Sequence, residues 1–92
     1  MKQPTVYFLS NKNKNVLYIG VTSNLEQRLE QHKTSEKDNF SKKYNTDILV
    51  YLENFPTMEE AIAREKQLKK WRREKKNALV ENINPDWKDL RE

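Results

Sequence analysis

Along this chain the spacing of apolar residues switches between two periods, and polar residues or proline mark each switch. Residues 5–9 (Thr-Val-Tyr-Phe-Leu) and 16–21 (Val-Leu-Tyr-Ile-Gly-Val) are short, β-branched and aromatic, and they predict two strands. Ser10-Asn11-Lys12-Asn13-Lys14-Asn15 lies between them and is rich in side chains that tolerate turn geometry, so the pair predicts a hairpin. A turn centred between Lys12 and Asn13 sets Tyr7 directly opposite Tyr18, with both hydroxyls on one side of the sheet. A one-residue slip would send them to opposite faces. Residues 47–55 (Asp-Ile-Leu-Val-Tyr-Leu-Glu-Asn-Phe) predict a third strand, and their continuous apolar centre points to the central, buried position.

Elsewhere the period is helical. Thr22-Ser23-Asn24 stops the second strand and caps a helix, with Ser23 and Glu26, or Asn24 and Gln27, at capping-box spacing. Leu25, Leu29 and His32 form its stripe, Arg28 sits within that stripe, and the pattern fades near Thr34. Residues 35–45 are polar and basic, with Phe40 and Tyr44, and read as a loop or irregular turn. Pro56 ends the third strand, and Thr57-Met58-Glu59-Glu60 is another capping box. The helix it opens puts Met58, Ala61, Ile62 and Leu68 on one face, with Glu65 in the middle of that face. Trp71 leads into a second segment from about Arg72 to Asn82, carrying Ala78, Leu79 and Ile83, and Pro85 biases Asn84 away from helix. The order β-β-α-β-α-α predicts an α+β fold, a three-stranded sheet covered by helices. One domain spans residues 1–92, with a core of about 4–84 and a short C-terminal extension at 85–92.

Composition narrows the chemistry. The chain has no cysteine, which excludes disulfides, thiolate zinc sites and cysteine nucleophiles. It has no run of about 18 apolar residues to span a membrane and no signal-peptide core at its start, so a cytoplasmic protein without membrane contact is expected. The net charge of +4 hides an asymmetry: from Arg64 to Lys76 eight Lys or Arg residues stand against two Glu, a local balance of 8 − 2 = +6. Such a patch draws polyanions by counterion release, nucleic acid foremost, although a solvated lysine-rich helix face has the same composition.

Three helix positions break the amphipathic rule: Arg28, His32 and Glu65 are ionisable groups on or beside apolar stripes. A structural reading makes Arg28 and Glu65 a buried ion pair between two helices and His32 a partly buried residue near a helix end. A functional reading gathers them with Tyr7 and Tyr18 at one end of the sheet. Gly20 lies one strand period beyond Tyr18, and its missing Cβ would let a substrate backbone or a helix approach closely. A lone carboxylate suits one mostly hydrated Mg²⁺, Arg28 suits a phosphate oxygen, and either tyrosine or His32 could move a proton.

These residues carry a resemblance. Tyr7 in Val6-Tyr7, Tyr18-Ile19-Gly20, Asn24-Leu25, Arg28-Leu29 and His32 in this order resemble a GIY-YIG nuclease domain, most closely the small single-domain bacterial members. The run Glu60-Ala61-Ile62-Ala63-Arg64-Glu65-Lys66-Gln67-Leu68-Lys69-Lys70-Trp71 is similar to the helix holding that family's metal-binding glutamate, and Asn84-Pro85-Asp86-Trp87-Lys88-Asp89-Leu90 resembles the close of those small proteins. The resemblance covers nearly the whole chain. It implies a three-stranded antiparallel sheet flanked by helices and a divalent-metal phosphodiesterase site acting on DNA.

On the family pattern, Tyr18 or Tyr7 deprotonates or positions the attacking water, Arg28 stabilises charge on the scissile phosphate, and His32 lies near the site. Glu65 ligates a single Mg²⁺ or Mn²⁺, and a late asparagine completes the site, Asn84 being the choice and Asn77 the alternative. Gly20 and the basic residues Lys69, Lys70, Arg72 and Arg73 are expected to contact the nucleic acid. The first motif departs from the pattern, because Thr5 and Val6 replace its glycine and isoleucine. With no attached module in sight, specificity is expected to be low or supplied by a protein partner. The rival readings are a nucleic-acid-binding module of the same fold without turnover, and a protein-interaction domain whose helix face meets an acidic partner.

Overall fold

A computed structural model describes residues 3–34 and 48–91, and the side chains of all of these except residues 31–34. The elements follow the expected order: β1 (Thr5–Ser10), β2 (Leu17–Thr22), α1 (Leu25–Thr34), β3 (Ile48–Asn54), α2 (Met58–Lys69) and α3 (Arg73–Ile83). The three strands form one antiparallel sheet in the order β2-β1-β3. The central strand is therefore β1, not β3 as the apolar run 47–55 suggests. All six residues of β1 are buried. The continuous apolar centre of β3 has another cause: a bulge opposite Phe8 and Leu9 turns Val50 and Tyr51 toward the same layer, interrupting the alternation that an edge strand would otherwise show.

The sheet is covered on both faces. On one, Val6, Phe8, Ile19, Val50 and Tyr51 pack with Ala61 and Leu68 of α2, Val80 of α3 and Trp87. On the other, Tyr7, Leu9 and Leu49 pack with Leu29 of α1, flanked by Tyr18, Leu25 and Leu52. The odd and even residues of β1 thus serve different layers, as the pleat requires. Within α3 the fully buried residue is Val80, whereas Ile83, expected on the apolar stripe, is 65% exposed.

Capping follows local chemistry. Asn24 Oδ1 accepts from Gln27 N at 3.2 Å at the start of α1, choosing the second of the two boxes there. Thr57 Oγ1 accepts from Glu60 N at 3.2 Å at the start of α2.

The segment after Asn84 packs back against the core. Trp87 is buried, with φ at 55° and its indole N–H donated to Glu81 Oε2 at 3.1 Å. Leu90 N donates to Leu49 O at 2.7 Å, so the tail closes back on β3. Asn84 holds this return in place. Its side chain donates to Val50 O, inside the bulge, at 3.0 Å and to Lys88 O at 2.8 Å, and accepts from Lys88 N at 3.0 Å.

Candidate active site

The hairpin decides how the tyrosines meet. Asn11 Oδ1 accepts from Asn15 N at 3.1 Å and Val16 N at 3.3 Å, while Lys14 N donates to Asn11 O at 3.1 Å and Lys14 takes φ 60°. The turn therefore closes at Ser10 and Leu17, and Tyr7 stands opposite Gly20 rather than opposite Tyr18. The difference is two residues, so the faces are preserved. Tyr18 pairs with Leu9, and the two phenol rings meet diagonally, centroids 6.2 Å apart and tilted by 42°.

Gly20 has a different use from the one its sequence position suggests. A Cβ built there would lie 2.5 Å from Tyr7 Cζ and from its hydroxyl oxygen. The phenol of Tyr7 fills the space left by the missing Cβ, so Gly20 seats Tyr7.

Arg28 reaches this pair from α1. Its Nε donates to the Tyr7 hydroxyl at 3.2 Å. The Tyr7 hydroxyl, with a further contribution from Tyr18, pushes the guanidinium above its ordinary value, so Arg28 is cationic at any working pH. Tyr7 is fully buried, and burial pushes its phenol well above the ordinary tyrosine range against the opposing pull of Arg28. A phenol in that state keeps its proton and accepts no other, while Tyr18 is only half-buried. Tyr7, Tyr18 and Arg28 are thus brought together on the α1 face. His32 follows Arg28 by one turn of α1, but its side chain lies outside the described residues, as does the whole basic segment with Phe40 and Tyr44.

Glu65 stands on α2, in line with the buried Ala61 and Leu68 that pack on the opposite face of the sheet. Its side chain is 16% exposed, and Lys69 Nζ lies 3.4 Å from its Oε2. With Arg28 bonded to Tyr7 and Glu65 paired with Lys69, the ion pair between helices read from the sequence is not formed among the described residues. Helix α2 lies across β2 and β1, the strands that carry the tyrosines.

Other expected site residues have structural partners. The Asn84 amide spends both of its donors and one of its two acceptor positions on three backbone groups beside Trp87, on the face away from the phenols. Asn77, the alternative, accepts from Arg73 Nε at 2.8 Å. Arg73, expected on the nucleic acid, also donates to Lys14 O at 2.8 Å and Asn15 O at 3.4 Å, bracing α3 against the hairpin turn. Lys69 is the partner of Glu65, whereas Lys70 and Arg72 are exposed at the α2–α3 corner.

A second polar network was not visible in the sequence. Arg64 Nε lies 2.9 Å from Glu53 Oε1 and its Nη2 3.1 Å from Oε2, Tyr51 donates to the same carboxylate, and Trp71 stacks under Arg64 and Lys75 at 5.2 and 4.2 Å. Burial would raise the Glu53 carboxyl, but Arg64 and Tyr51 outweigh it and hold it below its ordinary value. This network joins β3 to α2 and takes Arg64 out of the free basic surface. Only the charge of Arg64 hinted at it, since its partner lies eleven residues away on a strand.

The geometry can be set beside known proteins. The GIY-YIG catalytic domain profile matches residues 3–77. A UPF0213 protein of Staphylococcus haemolyticus is 33% identical over 81 residues, covering 88% of this chain and 98% of the relative. One from Syntrophus aciditrophicus is 33% identical over 87 residues, covering 94% and 98%. The solution NMR structure of a UPF0213 protein from Bacillus halodurans superposes with a TM-score of 0.60 at 26% identity, covering 95% of this chain and 92% of that one. With a matched profile that takes in both tyrosines, Arg28 and Glu65, this chain belongs to the GIY-YIG family.

Proposed function

We propose that this protein is a divalent-metal-dependent endonuclease that hydrolyses DNA phosphodiester bonds. The observation that carries the reading is the Tyr7–Arg28–Tyr18 cluster: a fixed guanidinium next to one buried and one half-buried phenol. Binding nucleic acid requires basic residues, but it gives no reason to seat a phenol over the chain's one glycine and tie an arginine to it.

The roles divide by burial. Tyr7 aims Arg28 and stays protonated. Arg28 takes up charge that develops on the scissile phosphate, where a preorganised cation contributes most. Tyr18, the more accessible phenol, orients the attacking water, and His32 is a candidate to move its proton. Glu65 would hold the metal ion. Among the described residues no three His, Cys, Asp or Glu side chains cluster, and a single carboxylate with few protein partners fits Mg²⁺ or Mn²⁺, which keep most of their waters. When bound, such an ion supplies Lewis-acid stabilisation of the phosphate oxygens. The Lys69 ammonium would have to yield to it. Lys70 and Arg72 are the exposed cations of the α2–α3 corner available to the DNA backbone, and a protein partner would supply specificity.

The test compares the protein with Glu65→Ala on branched, flapped and linear DNA with Mg²⁺ or Mn²⁺. Cleavage by the former alone is expected, together with a metal-induced rise in melting temperature that the variant lacks. No cleavage by the wild type, or equal cleavage by the variant, refutes the proposal and leaves the binding module as the better reading.

A further inference from the structure

The hairpin tip holds a feature that the proposed chemistry does not use. Lys14 adopts φ 60°, a conformation glycine or asparagine takes without steric penalty and a long side chain takes with one. It sits between Asn13 and Asn15, so residues better suited to that position are one step away on either side. The conformation is locked by the bond from its own N–H to Asn11 O at 3.1 Å and by Arg73 Nη2 on its carbonyl at 2.8 Å. Its ammonium makes no hydrogen bond or ion pair among the described residues, and Lys12, two residues earlier, is exposed as well. A penalised lysine held rigidly by its backbone with a free charge is a presented group.

Arg73 also settles which surface the tip belongs to. It is the first residue of α3, directly after the exposed Lys70 and Arg72, and its bonds to Lys14 and Asn15 dock the tip against that corner. Two basic segments more than fifty residues apart in sequence thereby become one positive surface.

We propose that the hairpin tip, with Lys14 at its apex and Lys12 beside it, is an arm for the phosphate backbone of nucleic acid, continuous with Lys70 and Arg72 and braced by Arg73. The partner follows from the form of the charge: separated, exposed lysines along a rigid edge fit a regular polyanion and carry no base readout. The arm also has a fixed relation to the phenols. Lys14 and Tyr18 are four residues apart, so their backbones lie at most about 14 Å apart, roughly four nucleotide steps at about 3.4 Å per step. This inference rests on the nuclease reading for its substrate but not for its measurement.

Lys14→Asn tests it, since asparagine keeps the turn and removes the charge. Binding of a DNA duplex is measured from 50 to 200 mM salt by fluorescence anisotropy, with Lys14→Arg to restore the charge and Lys88→Asn, an exposed lysine on the C-terminal tail, as the equal-charge control. Lys14→Asn is expected to melt at or above the wild-type temperature and bind more weakly. Its log–log salt slope should be shallower by about 0.9, so its disadvantage narrows about 3.5-fold across that range. Lys14→Arg should restore the slope and Lys88→Asn leave it unchanged. A Lys14→Asn slope equal to wild type, an equal loss in Lys88→Asn, or competition by poly-glutamate as effective as by duplex of the same charge overturns the arm while leaving the nuclease proposal standing. A slope change in a protein that cleaves nothing keeps the arm and removes the nuclease.

Discussion

Gly20→Ala puts the assembly of the tyrosine cluster to its most direct test. Gly20 has no positive φ, so alanine fits its backbone, and the loss of unfolded-chain freedom would by itself stabilise the fold by about 0.4–1 kcal/mol. Against this, the new Cβ falls 2.5 Å from Tyr7 Cζ and hydroxyl and 2.9 Å from Cε1, where ordinary contact begins at 3.4 Å, a shortfall of 3.4 − 2.5 = 0.9 Å. The phenol is fully buried and tied to Arg28, so it cannot simply swing away. Overpacking of this kind costs about 1–3 kcal/mol. The net expectation is a loss of about 1–2 kcal/mol, which in a domain of this size lowers the melting temperature by roughly 5–15 °C. Thermal and urea unfolding would measure it, with a double-mutant cycle through Tyr7→Leu to isolate the cause. With the ring gone, Gly20→Ala should become neutral or mildly stabilising, giving a coupling of about 1–3 kcal/mol. Should Gly20→Ala unfold like wild type in both backgrounds, the glycine does not seat Tyr7 and the account of the register is wrong.

Two further outcomes separate structure from chemistry. Asn84→Ala should destabilise by about 2–4 kcal/mol, because it orphans Val50 O and both backbone groups of Lys88; cleavage per folded molecule, measured well below the new melting point, should be unchanged, and a selective loss of turnover would return Asn84 to the active site. Tyr7 predicts an alkaline effect: burial raises the folded phenol above the unfolded value of about 10, so its contribution is intact below that pH and is lost as pH rises from there toward the folded value. Tyr7→Phe should make that limb of the stability profile shallower, and the tyrosinate absorbance of the native protein should titrate two phenols late, Tyr7 and the likewise buried Tyr51, of which the variant keeps one.

Much of this was legible in the sequence. The strand and helix order, the capping of α1 and α2 and the family motif are written locally, in hydrophobic period and in short-range hydrogen bonds between residues three or four apart. So is the sharing of a face by Tyr7 and Tyr18, because parity survives a two-residue change of register. The register itself was decided by how Asn11 and Lys14 close the turn at Ser10 and Leu17, and by the fit of Tyr7 over Gly20, a contact between strands. The centrality of β1 was hidden because a bulge can make an edge strand look continuously apolar. The fates of Asn84 and Arg73 were hidden for a similar reason: a polar side chain with a distant backbone partner looks the same in sequence as one awaiting a substrate. Which residues could form the chemistry was determined by the chain itself, through identity and period. Which of them are spent holding the fold, and which are left to act, was decided only by tertiary structure, because a hydrogen-bonding group that finds a partner across the fold has little capacity left for a ligand.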